Sequence, residues 1–210
     1  VRTFGCGHFA FMRYIIAILV LASAPNIKAQ LLDSIGLFLK EEPRIVVKAD
    51  IRGSYISNRN VRIVGFKIGY EYAHRFQYGV GYSFLFTPVQ QLREVPGQGL
   101  IDTRLRIGYI AGYVDYAFYQ RRNWDVRIPV QLGFGSGSVI YKETDGRKRK
   151  LLRTGLIIYE PAMTVHYKFL KYFAIGGGIG FRLAIRTHDS LDEQITAPVY
   201  MFGLKVYFGD

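Results

Sequence analysis

The sequence predicts an all-β chain that crosses a membrane as an eight-stranded antiparallel up-and-down β-barrel. Residues 61–86 form two alternating stretches joined by a tight polar turn, with Val64, Phe66 and Ile68 on one face and Gly65 and Lys67 on the other. Similar hairpins recur along the chain, and a secretion signal precedes them. A wall with lipid outside and a polar interior requires this period of two.

Residues 1–29 are predicted to be removed from the mature protein. Met12-Arg13 precedes the apolar run Tyr14–Ala24, and Ala29 marks the expected cleavage point, which is the layout of a signal peptide. We expect residues 1–11 to derive from an incorrect start site. The apolar run is about half of the ~20 residues that a membrane-spanning helix needs, which favours a signal peptide over a permanent anchor.

Residues 30–43 are predicted to form a short amphipathic helix before the barrel, which is assigned to residues 44–210. Leu32, Ile35 and Leu39 make an apolar stripe, and Pro43 ends it. A disordered leader and a helical plug in the lumen are the alternatives. The only cysteine, Cys6, lies in the leader, so the mature chain has no disulfide.

Alternation and turn signals define eight candidate strands at 44–56, 61–73, 76–87, 101–118, 124–139, 153–169, 172–186 and 195–208. The connections Ala73–Phe76, Tyr119–Asn123 and Leu170–Lys171 are tight, whereas 88–100, 141–152 and 187–194 are long. Short turns on one rim and long loops on the other are typical of bacterial barrels, whose short turns face the periplasm.

Two of these strands depart from the simple pattern. The apolar face of 101–118 changes side near Gly112–Val114, which predicts a bulge there. Pro161 removes a ladder donor from 153–169, which predicts a local defect.

Aromatic residues gather around the tight turns and are expected to anchor the barrel at the membrane interface. They are Tyr72, Phe76, Tyr119, Trp124, Tyr167, Phe169, Tyr172 and Phe173.

The interior of an eight-stranded barrel has room only for packed side chains or a small ligand. The predicted lumen network consists of Lys48, Asp50, Arg52, Lys67, Glu71, Arg127, Glu160 and Arg182. Arg106, Gln131, His166, Lys168, Arg186 and Lys205 are also predicted to point inward. We interpret the set as salt bridges and hydrogen bonds that offset the cost of burying charge. An anion-selective or gated narrow path is the alternative.

The last strand carries a terminal aromatic pattern. Tyr200, Phe202, Leu204, Val206 and Phe208 share one face, followed by two further residues. The pattern resembles the signature by which the barrel-assembly machinery recognises outer-membrane barrels, although that signature usually ends on the aromatic residue.

Residues 44–208 resemble the small eight-stranded outer-membrane β-barrel proteins of the OmpA/OmpX type. The tyrosine- and glycine-rich strands and the Ala-Gln cleavage site lean toward the Bacteroidetes versions. The resemblance implies a barrel in the outer membrane of a Gram-negative bacterium. It implies no particular activity, because such barrels serve as anchors, adhesins, enzymes and pores.

The most distinctive predicted outer loop is strongly basic: it contains Arg147, Lys148, Arg149, Lys150 and Arg153. Outside a Gram-negative cell the nearest anions are lipopolysaccharide phosphates and carboxylates, which Arg and Lys bind by charge-assisted hydrogen bonds. The formal net charge of +12 is consistent with this partner. A solvated loop and a specific ligand are the alternatives, and nucleic acid is not expected.

No catalytic site, metal site or cofactor is predicted. His188-Asp189-Ser190 has the residue types of a nucleophilic triad, but neighbouring loop residues point in different directions. We therefore expect a non-enzymatic outer-membrane protein with a structural, envelope-maintenance or surface-interaction role, in contact with outer-membrane lipid and lipopolysaccharide. A narrow channel for ions or small solutes and a lipid A-modifying enzyme are the alternatives, and an envelope protein partner is left open.

Overall fold

The computed structural model describes residues 35–57, 59–95, 99–142, 148–186 and 195–209. Its strands are β1 (Arg44–Ile56), β2 (Arg59–Tyr72), β3 (Phe76–Leu85), β4 (Val89–Val95), β5 (Gly99–Arg121), β6 (Trp124–Lys142), β7 (Lys148–Leu170), β8 (Phe173–Arg186) and β9 (Ala197–Phe208). Aromatic and β-branched residues at every second position favour strands throughout, because they pack well on a pleated surface.

Eight of these strands close into a ring, which confirms the predicted antiparallel up-and-down barrel. The order runs β3-β2-β1-β9-β8-β7-β6-β5, and pairing between β3 and β5 closes it. The turns near 73–75, 122–123 and 171–172 lie on one rim, which we call the tight-turn rim. The opposite rim carries the remaining connections, and we call it the long-loop rim.

The ninth strand, β4, corrects the prediction of a long connection at 88–100. It forms a hairpin with the first residues of β5, from Val89 opposite Leu105 to Val95 opposite Gly99. The strand forms because pairing of β3 with β5 ends at Gly108, which leaves the first residues of β5 with a free edge to which β4 pairs.

The change of face predicted near Gly112–Val114 is wrong. Inward and outward residues alternate along β5 without interruption from Thr103 to Ala117, and the register shift lies further on, between Ala117 and Tyr119. The error arose because Leu105 and its inward neighbours are apolar, so the rule that apolar side chains face lipid fails at that end of the barrel. For the same reason Arg106, predicted to point inward, lies on the exposed outer face.

The local defect predicted at Pro161 is confirmed. Pairing of β7 with β8 stops at Tyr159 and resumes at Ala162 in unchanged register. A matching gap interrupts the pairing of β7 with β6, where Pro129 lies. The ladder is interrupted without an inserted residue because prolines lack the N–H donor.

Aromatic side chains surround the tight-turn rim on the outside of the barrel, as predicted. The rings of Trp124 and Tyr167 lie 4.8 Å apart between centroids, and those of Tyr72 and Tyr78 lie 5.9 Å apart. Phe76 is the exception, because its side chain is buried. Such a belt suits the boundary between lipid and water.

The residues before the barrel contain one helical turn at 35–38, in which Leu39 N donates to Ile35 O at 3.0 Å. It falls within the segment predicted as an amphipathic helix, whose first residues, like the predicted signal peptide, lie outside the described residues. No helix in the described part of the chain has the length and apolar character needed to span a membrane.

Candidate functional site

Ion pairs fill the half of the barrel interior nearest the tight-turn rim. Asp115 lies at their centre: its carboxylate oxygens lie 2.6 Å from Lys48 Nζ, 3.1 Å from Arg127 Nε and 3.3 Å from Lys205 Nζ. Arg127 Nη1 also lies 3.3 Å from Glu71 Oε1. We call this set the lower network; its members are Arg44, Lys48, Glu71, Asp115, Arg127 and Lys205.

A second set of polar contacts, the central network, lies further along the barrel axis. Glu160 accepts hydrogen bonds of 2.9 Å from Arg52 Nη1, Arg182 Nε and Gln131 Nε2. Arg52 Nη1 also donates to Tyr109 Oη at 2.9 Å. The members are Asp50, Arg52, Lys67, Ser83, Tyr109, Gln131, Glu160 and Arg182.

Cations outnumber carboxylates in the two networks, and aromatic rings supply further contacts. Lys48 Nζ lies 4.5 Å and Lys67 Nζ 5.7 Å from the centroid of the Tyr113 ring. Arg44 lies 4.1 Å above the Tyr207 ring. Because the face of an aromatic ring carries partial negative charge, these contacts stabilise cations that share a carboxylate with others.

An apolar layer occupies the half of the interior nearest the long-loop rim. It consists of Ile56, Val61, Val89, Leu105, Ile107, Tyr109, Ala111, Val139, Leu156, Ile158 and Ile195. Ile56 is 0% exposed and Ile158 is 1% exposed, although both lie on an inward face that the sequence predicted to be polar. Tyr109 joins the two halves, because its ring belongs to the layer while its hydroxyl contacts Arg52.

A cavity of about 50 Å³ lies beside Lys48, Thr164 and His166 and also beside Phe202 and Leu204. A site for a water molecule needs about 10–15 Å³ of space open to a water-sized probe, so the cavity is large enough for water.

All eight residues of the predicted lumen network lie inside the barrel, and each makes at least one ion pair. The predicted inward set omitted Asp115. Its position between Val114 and Tyr116, two apolar residues on the lipid-facing side of β5, would have found it. Sequence reasoning also missed the apolar layer, for which length and composition gave no signal. The side chain of Arg186 lies outside the described part.

The predicted lipopolysaccharide-contacting residues fall at the start of β7. The backbones of Lys148, Arg149 and Lys150 pair with the end of β6, and Arg153 lies opposite Ser138. Arg147 lies outside the described residues. The segment predicted as a loop is therefore partly a continuation of the barrel wall beyond the apolar layer.

The histidines do not form a reactive group in the part of the chain that the structure describes. His166 is buried beside the small cavity, and His74 lies in a tight turn. His188 and its acidic and hydroxyl neighbours lie outside the described residues. Among the described residues, no group of three His, Cys, Asp or Glu side chains is arranged to hold a metal ion.

Neither known protein families nor curated proteins match the sequence, whereas solved structures do. A major outer membrane protein from Thermus thermophilus aligns with a TM-score of 0.55 and 10% identity, over 80% of this chain and 100% of that one. This chain has the fold of a small outer-membrane β-barrel. Neisserial surface protein A aligns at 11% identity and a TM-score of 0.49, over 79% of this chain and 97% of that one.

The attachment invasion locus protein Ail of Yersinia pestis aligns with this barrel at 17% identity and a TM-score of 0.45, over 79% of this chain and 97% of that one. Identities this low relate folds and not functions. The closed ring, the exposed apolar wall and the aromatic belt are the features of a β-barrel whose outer surface faces lipid.

Proposed function

We propose that the protein is a closed outer-membrane barrel that works through its outer surface, with a structural, envelope-maintenance or surface-interaction role. One observation carries this proposal: paired charges in one half of the interior are covered by an apolar layer in the other. An ion that crossed this interior would have to pass a layer whose side chains are mostly apolar, which is unfavourable. The arrangement therefore favours a filled barrel over the alternative of a narrow channel.

Conductance in a planar bilayer tests the closed barrel. We expect no discrete conductance from the wild-type protein. A Leu156→Gly/Ile158→Gly variant removes two side chains from the apolar layer, and we expect brief openings from it. Discrete wild-type conductance whose selectivity changes in Arg127→Gln would contradict the proposal and favour the channel.

The same proposal includes contact between the basic segment 147–153 and lipopolysaccharide. Supporting it are the cluster of positive charge and its position at the start of β7, on the long-loop rim. Charge-assisted hydrogen bonds to phosphate are stronger than neutral ones, and the Lys ammonium group forms them without a strict orientation. The apolar wall already holds the barrel in the membrane. The basic segment adds polar contacts with the headgroups of the outer leaflet.

Lipopolysaccharide that co-purifies with the protein measures this contact. We expect a variant with Lys148, Arg149, Lys150 and Arg153 changed to Gln to retain much less of it than wild type. Arg121→Gln/Arg122→Gln is the control for loss of positive charge elsewhere, because these arginines lie at the tight-turn rim. Equal retention by both variants would remove the lipopolysaccharide contact from the proposal.

We propose no catalysis. His166 is buried inside the barrel, away from the lipid-facing surface where lipid A would bind. Lipid A extracted from expressing cells should keep its acylation pattern. A changed pattern that is restored in His188→Ala would contradict this part of the proposal.

A further inference from the structure

The barrel wall has a break between β3 and β5 near the long-loop rim. Their pairing ends at Phe84 opposite Gly108, and pairing of β5 resumes on β4 at Val89 opposite Leu105. Residues 85–88 therefore face residues 106–107 across the wall without forming ladder pairs.

Backbone hydrogen bonds hold the segment after β3 on the side away from β5. Phe86 N and Thr87 N donate to Arg62 O of β2 at 2.9 and 3.3 Å, and Arg62 N donates to Thr87 Oγ1 at 3.1 Å. The segment follows β2 while β5 continues toward β4. The separation is thus built from specific contacts and leaves an opening on the lipid-facing side.

A depression of about 850 Å³ occupies this opening, and we call it the wall notch. Its lower part is apolar, with Tyr82, Phe84, Ile110 and Phe134 among the lining residues. Ile110 and Phe134 are 64% and 59% exposed on the outer face, so the notch opens toward lipid. A second apolar depression of about 410 Å³ shares Tyr82 and Ile110 and extends further down the wall.

The floor of the wall notch is bare backbone at Gly108. A Cβ atom placed there would come 2.9 Å from Tyr82 Oη, so a larger side chain would fill the space that the glycine leaves. Gly112 lies on the same outer face of β5, and a Cβ there would meet nothing within 4 Å. The two glycines therefore differ in whether a substitution blocks the notch.

The end of the wall notch nearest the long-loop rim is positively charged. Arg104 and Arg106 line it and are exposed on the outer face of β5. Ser138 is the strand partner of Arg106, and Ser136 is the partner of Gly108; both serines also line the notch. Among the described residues, no carboxylate forms an ion pair with either arginine.

The spatial order of these groups along the wall matches one kind of molecule. The cationic and hydroxyl side chains lie toward the water, together with Phe86 and Pro88, and the other aromatic and aliphatic side chains lie toward the bilayer centre. A phosphorylated lipid has the same order of headgroup and acyl chain. A peptide or protein partner would need no such order, and a soluble phosphate would make no use of the apolar part.

We propose that the wall notch binds one phosphorylated glycolipid of the outer leaflet, of the lipid A class. Its phosphate contacts the guanidinium groups of Arg104 and Arg106, and one acyl chain lies over Gly108 between Tyr82 and Phe134. Guanidinium groups bind phosphate through paired N–H donors, which gives the site its specificity for the headgroup. The inference deepens the proposed surface role and rests on its assignment of the long-loop rim to the cell exterior.

Native mass spectrometry of the full barrel in detergent, with purified diphosphorylated lipid A added, tests the proposal. We expect one bound lipid on the wild-type protein and an at least about tenfold lower bound fraction in Arg104→Gln/Arg106→Gln, because two charge-assisted contacts are lost. Gly108→Leu should lower binding as well, by blocking the acyl chain. Lipid A stripped of its phosphates should bind wild type about as weakly as the arginine variant binds the intact lipid.

Matched variants separate a site from general effects. Arg121→Gln/Arg122→Gln removes equal charge at the other rim, and Gly112→Leu adds equal bulk outside the notch; both should bind as wild type does. Arg104→Lys/Arg106→Lys should recover part of the binding. The shift in gel mobility between unboiled and boiled samples verifies that each variant folds.

Three outcomes would overturn the proposal. They are equal lipid binding by the notch variants and their controls, equal binding of dephosphorylated lipid A, and saturation of the site by inorganic phosphate alone. The proposed function fails separately, through wild-type conductance or undiminished lipopolysaccharide retention when the basic segment 148–153 is neutralised. Apart from the shared control Arg121→Gln/Arg122→Gln, the two sets of variants have no residue in common.

Discussion

The two halves of the barrel interior exclude water by different physical means. The lower and central networks do so with directional contacts, in which Glu160 alone accepts three hydrogen bonds. The apolar layer does so by close packing of aliphatic side chains that need no partner of a particular kind. A polar half loses its stability when one partner is removed, whereas an apolar half loses it in proportion to the space left empty.

The same comparison applies to the outside of the wall. Around the networks, the outer face is aromatic and aliphatic, as a lipid-facing surface requires. Around the apolar layer, β5 turns Arg104 and Arg106 outward and Leu105 and Ile107 inward. On β5, polarity inside and outside therefore exchange near the long-loop rim.

The largest loss of stability is expected from removing the carboxylate at the centre of the central network. Glu160→Gln leaves Arg52 and Arg182 buried without their shared anion, and we expect it to lower the free energy of unfolding by about 3–5 kcal/mol. Urea unfolding in lipid vesicles measures this loss. Asp102→Asn is the control, because this carboxylate is exposed on β5 and should change stability little.

A second variant distinguishes pairing from burial as the source of that effect. Replacing Arg52, Glu160 and Arg182 together by Met removes the three charges that meet at Glu160 and leaves apolar groups of similar length. Asp50 keeps its ion pair with Lys67. We expect the triple variant to recover most of the stability that Glu160→Gln loses, since buried ion pairs often contribute no more than apolar contacts. A loss below about 1 kcal/mol in Glu160→Gln would mean instead that water reaches the pair.

The next largest effect is expected in the apolar layer. Leu156→Ala removes a side chain that is 2% exposed and should cost about 2–5 kcal/mol, because it leaves a cavity among Ile56, Ile107 and their neighbours. Ile157→Ala is the matched control on the same strand, since it faces the other side of the wall. If both variants lost the same free energy, the layer would not be a packed core.

The polar half of the interior was far easier to predict from the sequence than the apolar half. A period of two with Gly, Lys, Arg and Glu on one face has a single interpretation in a lipid-embedded wall, and it located Lys67, Glu71 and Arg127 inside. At the other end Leu105 and Ile107 alternate with Arg104 and Arg106 just as regularly. The alternation fixes two faces without saying which is inside, because membrane depth decides that and the sequence does not encode it locally.

The break in the wall was also beyond a reading of local pattern. Residues 85–95 contain the end of β3 and the whole of β4. The break between these strands becomes visible only from how each of them pairs with β5. The strand partners of β5 are distant along the chain, and their registers are set by contacts that no single window contains.

A smaller effect is expected where the ring of Tyr109 joins the two halves. Gly135 lies beside Tyr109 inside the barrel, and a Cβ atom there would collide with the Gly108 carbonyl oxygen and the Tyr109 side chain. We expect Gly135→Ala to cost about 1–3 kcal/mol through this overpacking. Gly112→Ala is the control, because it adds the same methyl group in open space on β5. Equal stability of the two variants would show that the backbone of β5 at Gly108 and Tyr109 shifts away without cost.

The smallest effect is expected at the tight turn that adjoins the lower network. Ala73 has a φ of 52°, a left-handed conformation that Asn adopts more readily than Ala. Ala73→Asn should therefore raise the free energy of unfolding by about 0.5–1 kcal/mol, and Arg75→Asn, outside the left-handed region, should give no gain.

Combining this turn variant with one variant from each half provides the sharpest comparison between them. Arg127 Nη2 donates to Arg75 O at 2.9 Å, so the turn and the lower network are in contact. The gain from Ala73→Asn should change by at least about 0.5 kcal/mol in an Arg127→Met background, since residues in one hydrogen-bonded group are not additive. In a Leu156→Ala background it should persist within about 0.3–0.5 kcal/mol, because the apolar layer lies at the far end of the barrel. Equal coupling to both backgrounds would mean that the interior responds as one unit, and the division into two halves would be wrong.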